Sequence, residues 1–200
     1  MKRARPDTGR TSRPAALAWL RVHPLPGAPT LGRLVAGAAV IPCALGRSGI
    51  RAVKREGDGA SPRGVFRLRG GFFRPDRFCV RPATPLPLRA TRPDDGWCDA
   101  AGDRRYNRPI HLPSPTSAEA MWRDDGLYDL VLDLDHNRGP IRPGAGSAIF
   151  MHIAREGFRP TEGCVALRPA DLRRLLRRLG PNTRIAIGLV PARPKRAKGS

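Results

Sequence analysis

Short hydrophobic runs bounded by Gly or Pro recur along the chain from residue 15 onward. Runs of this length with turn residues at both ends are typical of β-strands. The pattern predicts strands over residues 19–25, 30–36, 39–45 and 65–73. Residues 46–64, between the last two, form a long polar stretch that we interpret as a loop.

The second half of the chain carries two further strand patterns before a closing strand over residues 184–190. Residues 128–135 (YDLVLDLD) alternate strictly, which directs Leu130, Leu132 and Leu134 to one face. Residues 147–154 (SAIFMHIA) predict a strand with two distinct faces. One face carries Ile149, Met151 and Ile153, and the other carries Ala148, Phe150 and His152.

One amphipathic helix is predicted near the C-terminus, over residues 169–179. Pro169 suits the first turn of a helix, and Gly180 with Pro181 ends it. The helical spacing i, i+3, i+4, i+7 is occupied by Leu172, Leu175, Leu176 and Leu179.

The composition favours a β-rich fold, because Gly and Pro contribute 22 residues each of the 200. Both residue types disfavour helix interiors, which excludes a helical bundle. We predict a single, mostly β domain over residues 15–190, sandwich-like, with one helix. Residues 74–109 form an irregular insertion, and the basic segments 1–14 and 191–200 are disordered tails.

The formal net charge of +20 suits an anionic partner. Nucleic acid and an acidic cell-wall polymer are both candidates, and an arginine-rich surface without a specific polyanion is the alternative. The longest uncharged apolar stretch, residues 34–46, contains Pro42 and is too short to span a bilayer. We interpret it as a buried strand pair rather than a processed export segment, and we expect no membrane span.

The four cysteines, Cys43, Cys79, Cys98 and Cys164, show no metal-ligand spacing, so we expect no structural metal site. Disulfide pairing stays open. Cys164 lies twelve residues after His152, and an imidazole beside a thiol supplies the base that a nucleophilic thiolate requires. Gly163 allows a tight turn that exposes the thiol. A buried structural cysteine with a satisfied strand histidine is the alternative interpretation.

Two segments resemble the L,D-transpeptidase catalytic domain family. FMHIA carries a strand histidine as His152, and TEGCV supplies Thr161, Gly163 and Cys164 of the family's cysteine motif. Residues 59–68 (GASPRGVFRL) resemble its Thr-Pro-x-Gly-x-Phe turn. The resemblance extends over about residues 20–190 and includes the order of helix and final strand after the cysteine.

The resemblance implies that Cys164 is the nucleophile, that His152 is a general base oriented by a backbone carbonyl, and that the Gly163 and Cys164 N–H groups form an oxyanion hole. It implies attack on a diaminopimelate–D-alanine bond of a peptidoglycan stem, a thioester, and a 3→3 cross-link formed by a second stem. We assign substrate binding to Thr161, Glu162 and Arg155. No metal, cofactor or obligatory protein partner is expected, and nucleic acid is not the expected partner.

Three departures from the family pattern bear on this expectation. Glu162 replaces the usual second histidine and opposes thiolate formation unless Arg155, Arg159 or Arg168 pairs with it. Ala166 replaces the usual Arg or Asn, and the loop from His152 to Cys164 is shorter than is usual in the family.

These departures keep alternatives open. Hydrolysis of the thioester would make the protein an L,D-carboxypeptidase, and loss of turnover would leave a basic module that binds wall polymer or nucleic acid. Trp97 and Tyr106 in the insertion either stack on sugars or form a small satellite core. The resemblance implies a periplasmic or cell-envelope location, although the sequence shows no convincing signal peptide; the alternative is cytoplasmic.

Overall fold

A computed structural model describes residues 15–189, so both predicted tails lie outside the described residues. These described residues form short strands, one α-helix and a 3₁₀ turn over Glu156–Phe158. The first seven strands are β1 (Trp19–Leu25), β2 (Ala28–Ala36), β3 (Ala39–Ala44), β4 (Ile50–Arg51), β5 (Ser61–Pro62), β6 (Gly64–Phe73) and β7 (Leu88–Ala90). The remaining elements are β8 (Asp95–Cys98), β9 (Pro109–His111), β10 (Ala118–Ala120), β11 (Leu130–Leu134), β12 (Phe150–Ile153), β13 (Val165–Leu167), α1 (Pro169–Leu176) and β14 (Arg184–Ile187).

The main sheet closes on itself. Its strand order is β11-β12-β13-β3-β2-β1-β14-β6, and β6 pairs again with β11 to complete the ring, while β7 adds to β6 as a short parallel strand. Two of the pairings within the ring itself are parallel, β12 with β13 and β1 with β14. The second half of the chain is therefore interleaved with the first around the ring.

The sandwich-like architecture that we predicted is wrong, because the sheet is closed and barrel-like. Closure depends on β6, which is ten residues long. Its first half pairs with β14, and its second half, from Leu68 to Phe73, pairs with β11. Alternating side chains are the same in a sandwich and in a barrel, so this long-range pairing was not visible in the hydrophobic pattern.

The individual elements follow the sequence closely. The strands predicted over 19–25, 30–36, 39–45 and 65–73 appear within a few residues of those limits, and α1 ends at Leu176, three residues early. Leu179 is still buried, because the backbone continues in tighter turns that bond Leu179 N to the Leu176 carbonyl. The predicted loop 46–64 contains the short parallel pair β4–β5.

The main core is formed by inward-facing strand residues together with the apolar stripe of α1. Leu130, Leu132 and Leu134 contribute from β11, as their alternation predicts. Ile149, Met151 and Ile153 contribute from β12 and the residue before it. Phe150 and His152 therefore point to the opposite side of β12, outside this core.

A second, smaller core covers that opposite side. It consists of Trp97, Met121, Leu127, Tyr128, Val131, Phe150 and Cys164. The three-stranded sheet β10-β8-β9, which begins within the predicted insertion, supplies Trp97. Trp97 is buried in this second core, as the satellite-core interpretation predicts, and Tyr106 is buried outside it, so neither ring presents an exposed face to a sugar.

Among the described residues, no helix has the length and apolar character needed to cross a membrane.

Closure of the barrel predicts a strict requirement for Gly71. A Cβ at this position would lie 2.1 Å from the Val131 carbonyl oxygen of the paired strand. Gly71→Ala is expected to lower the free energy of unfolding by about 1–3 kcal/mol or more, as overpacked sites do. Urea denaturation measures this loss. Gly102→Ala is the control, because nothing lies within 4 Å of its added Cβ; equal stability of the two variants would contradict the close approach of β6 and β11.

Candidate active site

His152 and Cys164 come together because β12 and β13 are adjacent parallel strands. Met151 pairs with Val165 and His152 pairs with Ala166, which places Cys164 beside Phe150 at the entrance to β13. Phe150 and His152 share one face of β12, since side chains two residues apart point the same way. The thiol and the imidazole therefore lie on the same side of the barrel wall, facing the second core.

Two backbone groups hold the Cys164 thiol. The Phe150 N–H donates to Sγ at 3.3 Å, and Sγ donates to the Ala148 carbonyl oxygen at 3.2 Å. The residue is only 6% exposed, so the expectation that the turn at Gly163 exposes the thiol is wrong. Burial raises the pKa of the Cys164 thiol to about 12, and the nearby negative charge of Glu119 acts in the same direction. The resting side chain is therefore a neutral thiol whose proton points at a carbonyl.

His152 is a neutral imidazole with a defined tautomer. Its Nδ1 lies 2.8 Å from the Ile153 carbonyl oxygen, and because a carbonyl only accepts, Nδ1 carries the proton. Burial lowers the pKa of His152 to about 4, so the ring is uncharged at neutral pH and Nε2 is free to accept a proton. Tyr128 packs edge-on against the ring, with centroids 5.2 Å apart.

The turn before Cys164 is shaped by Thr161 and Gly163. The Thr161 hydroxyl donates to the Cys164 carbonyl oxygen at 2.7 Å and accepts from Gly163 N at 3.2 Å. Gly163 has φ +139°, and a Cβ there would lie 2.7 Å from the Ala60 carbonyl oxygen. The segment that resembles the family's Pro-containing turn thus packs directly against the cysteine turn, and only glycine fits between them.

These contacts change the expected role of one of the two N–H groups predicted to form the oxyanion hole. The Gly163 N–H, which we predicted to be an oxyanion donor, is directed to Thr161. Within residues 15–189 the Cys164 N–H has no protein acceptor, and it is the donor that stays available.

Glu162 is paired, but with a residue that sequence reasoning did not name. Arg47 Nε lies 2.8 Å from Glu162 Oε2, and the same guanidinium bonds the Gly57 carbonyl. The three arginines considered from the sequence as possible partners, Arg155, Arg159 and Arg168, form no ion pair with Glu162 in the part of the chain that the structure describes. Arg47 is 115 residues away in sequence, and the backbone bonds between residues 45–47 and Thr161 bring it there.

A cleft of about 210 Å³ opens beside these residues. Its walls are formed by Glu119, Arg123, Leu127, Tyr128, His152, Arg155, Arg159, Pro160, Thr161 and Glu162. Cys164 belongs to the second core, and two other members of that core, Leu127 and Tyr128, line the cleft. All three predicted substrate-binding residues, Thr161, Glu162 and Arg155, line the cleft.

Sequence reasoning missed Glu119, Arg123 and Tyr128. The Tyr128 hydroxyl donates to Glu119 Oε1 at 2.5 Å, and Arg123 forms an ion pair with Asp125 at 2.5 Å. Burial raises the pKa of Glu119 above its ordinary value. Glu119 and Arg123 lie in a stretch without periodicity, and the alternation that starts at Tyr128 predicts only a strand, so no local signal linked the three residues to His152.

The family model of the L,D-transpeptidase catalytic domain (YkuD) matches residues 32–187. The chain belongs to this family. Its members are L,D-transpeptidases, acyltransferases that act on peptidoglycan, so the resemblance seen in the sequence motifs is confirmed over most of the chain. The matched range includes both the 59–68 turn and the TEGCV motif of this transpeptidase-family domain. No curated protein and no solved structure matched the chain.

One cluster outside the cleft has metal-ligating side chains: Asp94, Asp95 and His111. Arg89 bonds both Asp95 carboxylate oxygens, at 2.8 and 2.9 Å, and His111 Nδ1 lies 2.9 Å from Asp94. Both carboxylates therefore already have hydrogen-bonding partners within the protein, and we assign no ligand to the cluster.

The neutral resting thiol predicts a specific pH dependence of alkylation. Because the thiolate fraction grows tenfold per pH unit below the pKa, the rate at which iodoacetamide modifies Cys164 should rise about tenfold per unit from about pH 7 to 9 without levelling off. Peptide mapping by mass spectrometry measures the rate, and Cys164→Ala identifies the peptide. A plateau below about pH 8 would contradict the neutral-thiol assignment.

Proposed function

We propose that this domain is a cysteine acyltransferase that cleaves a diaminopimelate–D-alanine bond in peptidoglycan stem peptides through a thioester on Cys164 and forms 3→3 cross-links. The observation that carries the proposal is the Nδ1 contact of His152 with the Ile153 carbonyl, which leaves a proton-free Nε2 beside the cysteine strand. Family membership supplies the reaction class.

Acylation starts from two neutral side chains. His152 Nε2 takes the proton of the Cys164 thiol as sulfur bonds to the substrate carbonyl carbon. The carbon–nitrogen bond then breaks, and the His152 proton passes to the departing D-alanine amine. Formation of the thiolate only during attack is consistent with a buried thiol whose pKa is raised to about 12.

The same groups serve the second half of the reaction. An acceptor amine attacks the thioester carbon, His152 takes one of its protons, and the proton returns to sulfur as Cys164 leaves. The free Cys164 N–H is the donor that we assign to the oxyanion in both halves. The Phe150 N–H, at 3.3 Å from Sγ, stabilises negative charge as it develops on sulfur.

Arg155 and Arg159 are our candidates for recognising the stem carboxylates. Both line the cleft, and neither forms an ion pair within the described part of the chain, whereas Glu162 is neutralised by Arg47. They offer charge-assisted hydrogen bonds that Ala166, in place of the family's Arg or Asn, does not supply. The cleft is therefore cationic on the side that leads into the cysteine turn.

The reaction class is tested by muropeptide analysis after incubation with purified protein. Unmodified protein should produce 3→3 dimers by mass spectrometry, and Cys164→Ala and His152→Ala should both abolish them while remaining folded. Cys79→Ala is the matched control, because Cys79 is an exposed free cysteine remote from the second core. Tripeptide stems without dimers would identify a carboxypeptidase, and unchanged stems would favour the non-catalytic binding module.

Substrate recognition predicts a separate effect of Arg155→Ala. Loss of one charge-assisted contact should raise KM about tenfold with little change in kcat, since the thiol and imidazole are untouched. Steady-state kinetics on a tetrapeptide stem measures both constants. Arg33→Ala, an exposed arginine on β2, is the charge-matched control. A fall in kcat at constant KM would remove Arg155 from the binding role.

The proposed substrate implies work in the cell envelope, where peptidoglycan is cross-linked. The family resemblance supports this location.

A further inference from the structure

Asn107, in the insertion, is a buried hydrogen-bonding centre that the reaction scheme does not use. It is 2% exposed. Its Oδ1 accepts from Trp97 Nε1 at 3.0 Å and from Ala148 N at 3.2 Å. Its Nδ2 donates to the carbonyl oxygens of His136 and Asn137, at 3.1 and 2.9 Å. The carboxamide therefore uses its full capacity of two acceptor and two donor bonds.

Ala148, one of these partners, connects Asn107 to the thiol. Its N–H donates to Asn107, and its carbonyl accepts the Cys164 S–H at 3.2 Å. Ala148 has φ +52°, in the left-handed region that residues with a Cβ seldom occupy. The direction of the carbonyl depends on this backbone angle, because φ and ψ of Ala148 relate its N–H to its C=O.

The Cys164 thiol thus contacts two backbone groups, the Phe150 N–H and the Ala148 carbonyl, and different contacts hold each of them in place. Phe150 N–H belongs to β12 and is fixed by the barrel. Ala148 lies just before that strand, in an unfavourable conformation whose N–H is held by Asn107. Strained backbone of this kind persists only where neighbouring contacts impose it. Without the Asn107 acceptor, Ala148 is free to relax and turn its carbonyl away from Cys164.

We propose that Asn107 is a positioning residue for Cys164. Asn107 holds Ala148 in the left-handed conformation that directs the Ala148 carbonyl at the thiol. The catalytic consequence rests on the proposed function. The geometric part does not, since it concerns the orientation and protonation of the thiol in the free protein.

Loss of the Asn107 contact should change two measured rates in opposite directions, raising the rate of Cys164 alkylation and lowering the rate of acylation. The Ala148 carbonyl accepts from the S–H and so favours the neutral thiol; its loss should increase the rate of Cys164 alkylation at neutral pH. Loss of orientation should lower the rate of acylation by a saturating stem peptide by about 10- to 100-fold, with little change in KM. A purely structural role predicts neither the opposite signs nor the constant KM.

Three variants separate the contributions of Asn107. Asn107→Ala removes both the acceptor and the donors and should show both effects. Ala148→Gly keeps Asn107 and adopts positive φ without strain, so it should retain acylation close to that of the unmodified protein. Ala148→Val leaves Asn107 intact but disfavours positive φ, and it should reproduce the Asn107→Ala pattern.

Cys43 reports on the fold, because it is buried in the main core on β3, away from the insertion. Alkylation of Cys164 and Cys43 is followed by mass spectrometry beside single-turnover acylation. Faster alkylation at Cys164 alone in Asn107→Ala and Ala148→Val, with slower acylation that Ala148→Gly does not share, supports the proposal. Unchanged Cys164 alkylation in folded Asn107→Ala and Ala148→Val overturns it.

The experiment distinguishes failure of the positioning proposal from loss of the fold and from failure of the proposed function. If Asn107→Ala exposes Cys43, the decision passes to Ala148→Val and Ala148→Gly; a Gly variant as impaired as a folded Ala148→Val would overturn the role of the left-handed conformation. If stem peptides never acylate the protein, the proposed function fails, while iodoacetamide still tests the positioning of the thiol.

Discussion

The parallel pairing of β12 with β13 is the constraint on which the site depends. It brings His152 and Cys164, twelve residues apart in sequence, onto one face of the barrel wall, with the Phe150 N–H directed at Sγ. The same short strand supplies the Ile153 carbonyl that fixes the tautomer of His152. The proposed nucleophile, its proposed base and the carbonyl that orients that base are thus positioned by four residues of β12 and the turn into β13.

That arrangement is completed by segments far away in sequence. The 59–62 segment packs its Ala60 carbonyl against Gly163, and Arg47 neutralises Glu162, so the first third of the chain shapes the cysteine turn. On the other side, the insertion buries Trp97 beside Phe150 and Cys164 and contributes the Asn107 contact to Ala148. The site is therefore enclosed between the barrel and the insertion, which accounts for the shifted pKa values of both Cys164 and His152 through burial.

Local pattern was sufficient to predict most elements, whereas the roles expected of His152 and Cys164 came from the family resemblance. Alternation in YDLVLDLD and SAIFMHIA identified β11 and β12 and the faces of their side chains, and the leucine spacing identified α1, because those periods are properties of the elements themselves. Closure into a barrel was not predicted, since β6–β11 pairing has no periodic signature. The sequence also did not reveal the roles of Arg47, Glu119 and Asn107, because each acts through contacts that only the folded chain creates. Asn107 in addition lies in a stretch whose Pro, Arg and Asp content predicted an irregular insertion.

The most direct test of the account is the site of covalent attachment during turnover. The protein is mixed with a tetrapeptide stem, quenched in acid within the first turnover, digested and analysed by mass spectrometry. The account predicts an acyl group of stem mass less D-alanine on the peptide that contains Cys164, absent when His152 is replaced by alanine. An acyl group on Cys43, Cys79 or Cys98, or cleavage of the stem with Cys164 never modified, would contradict it.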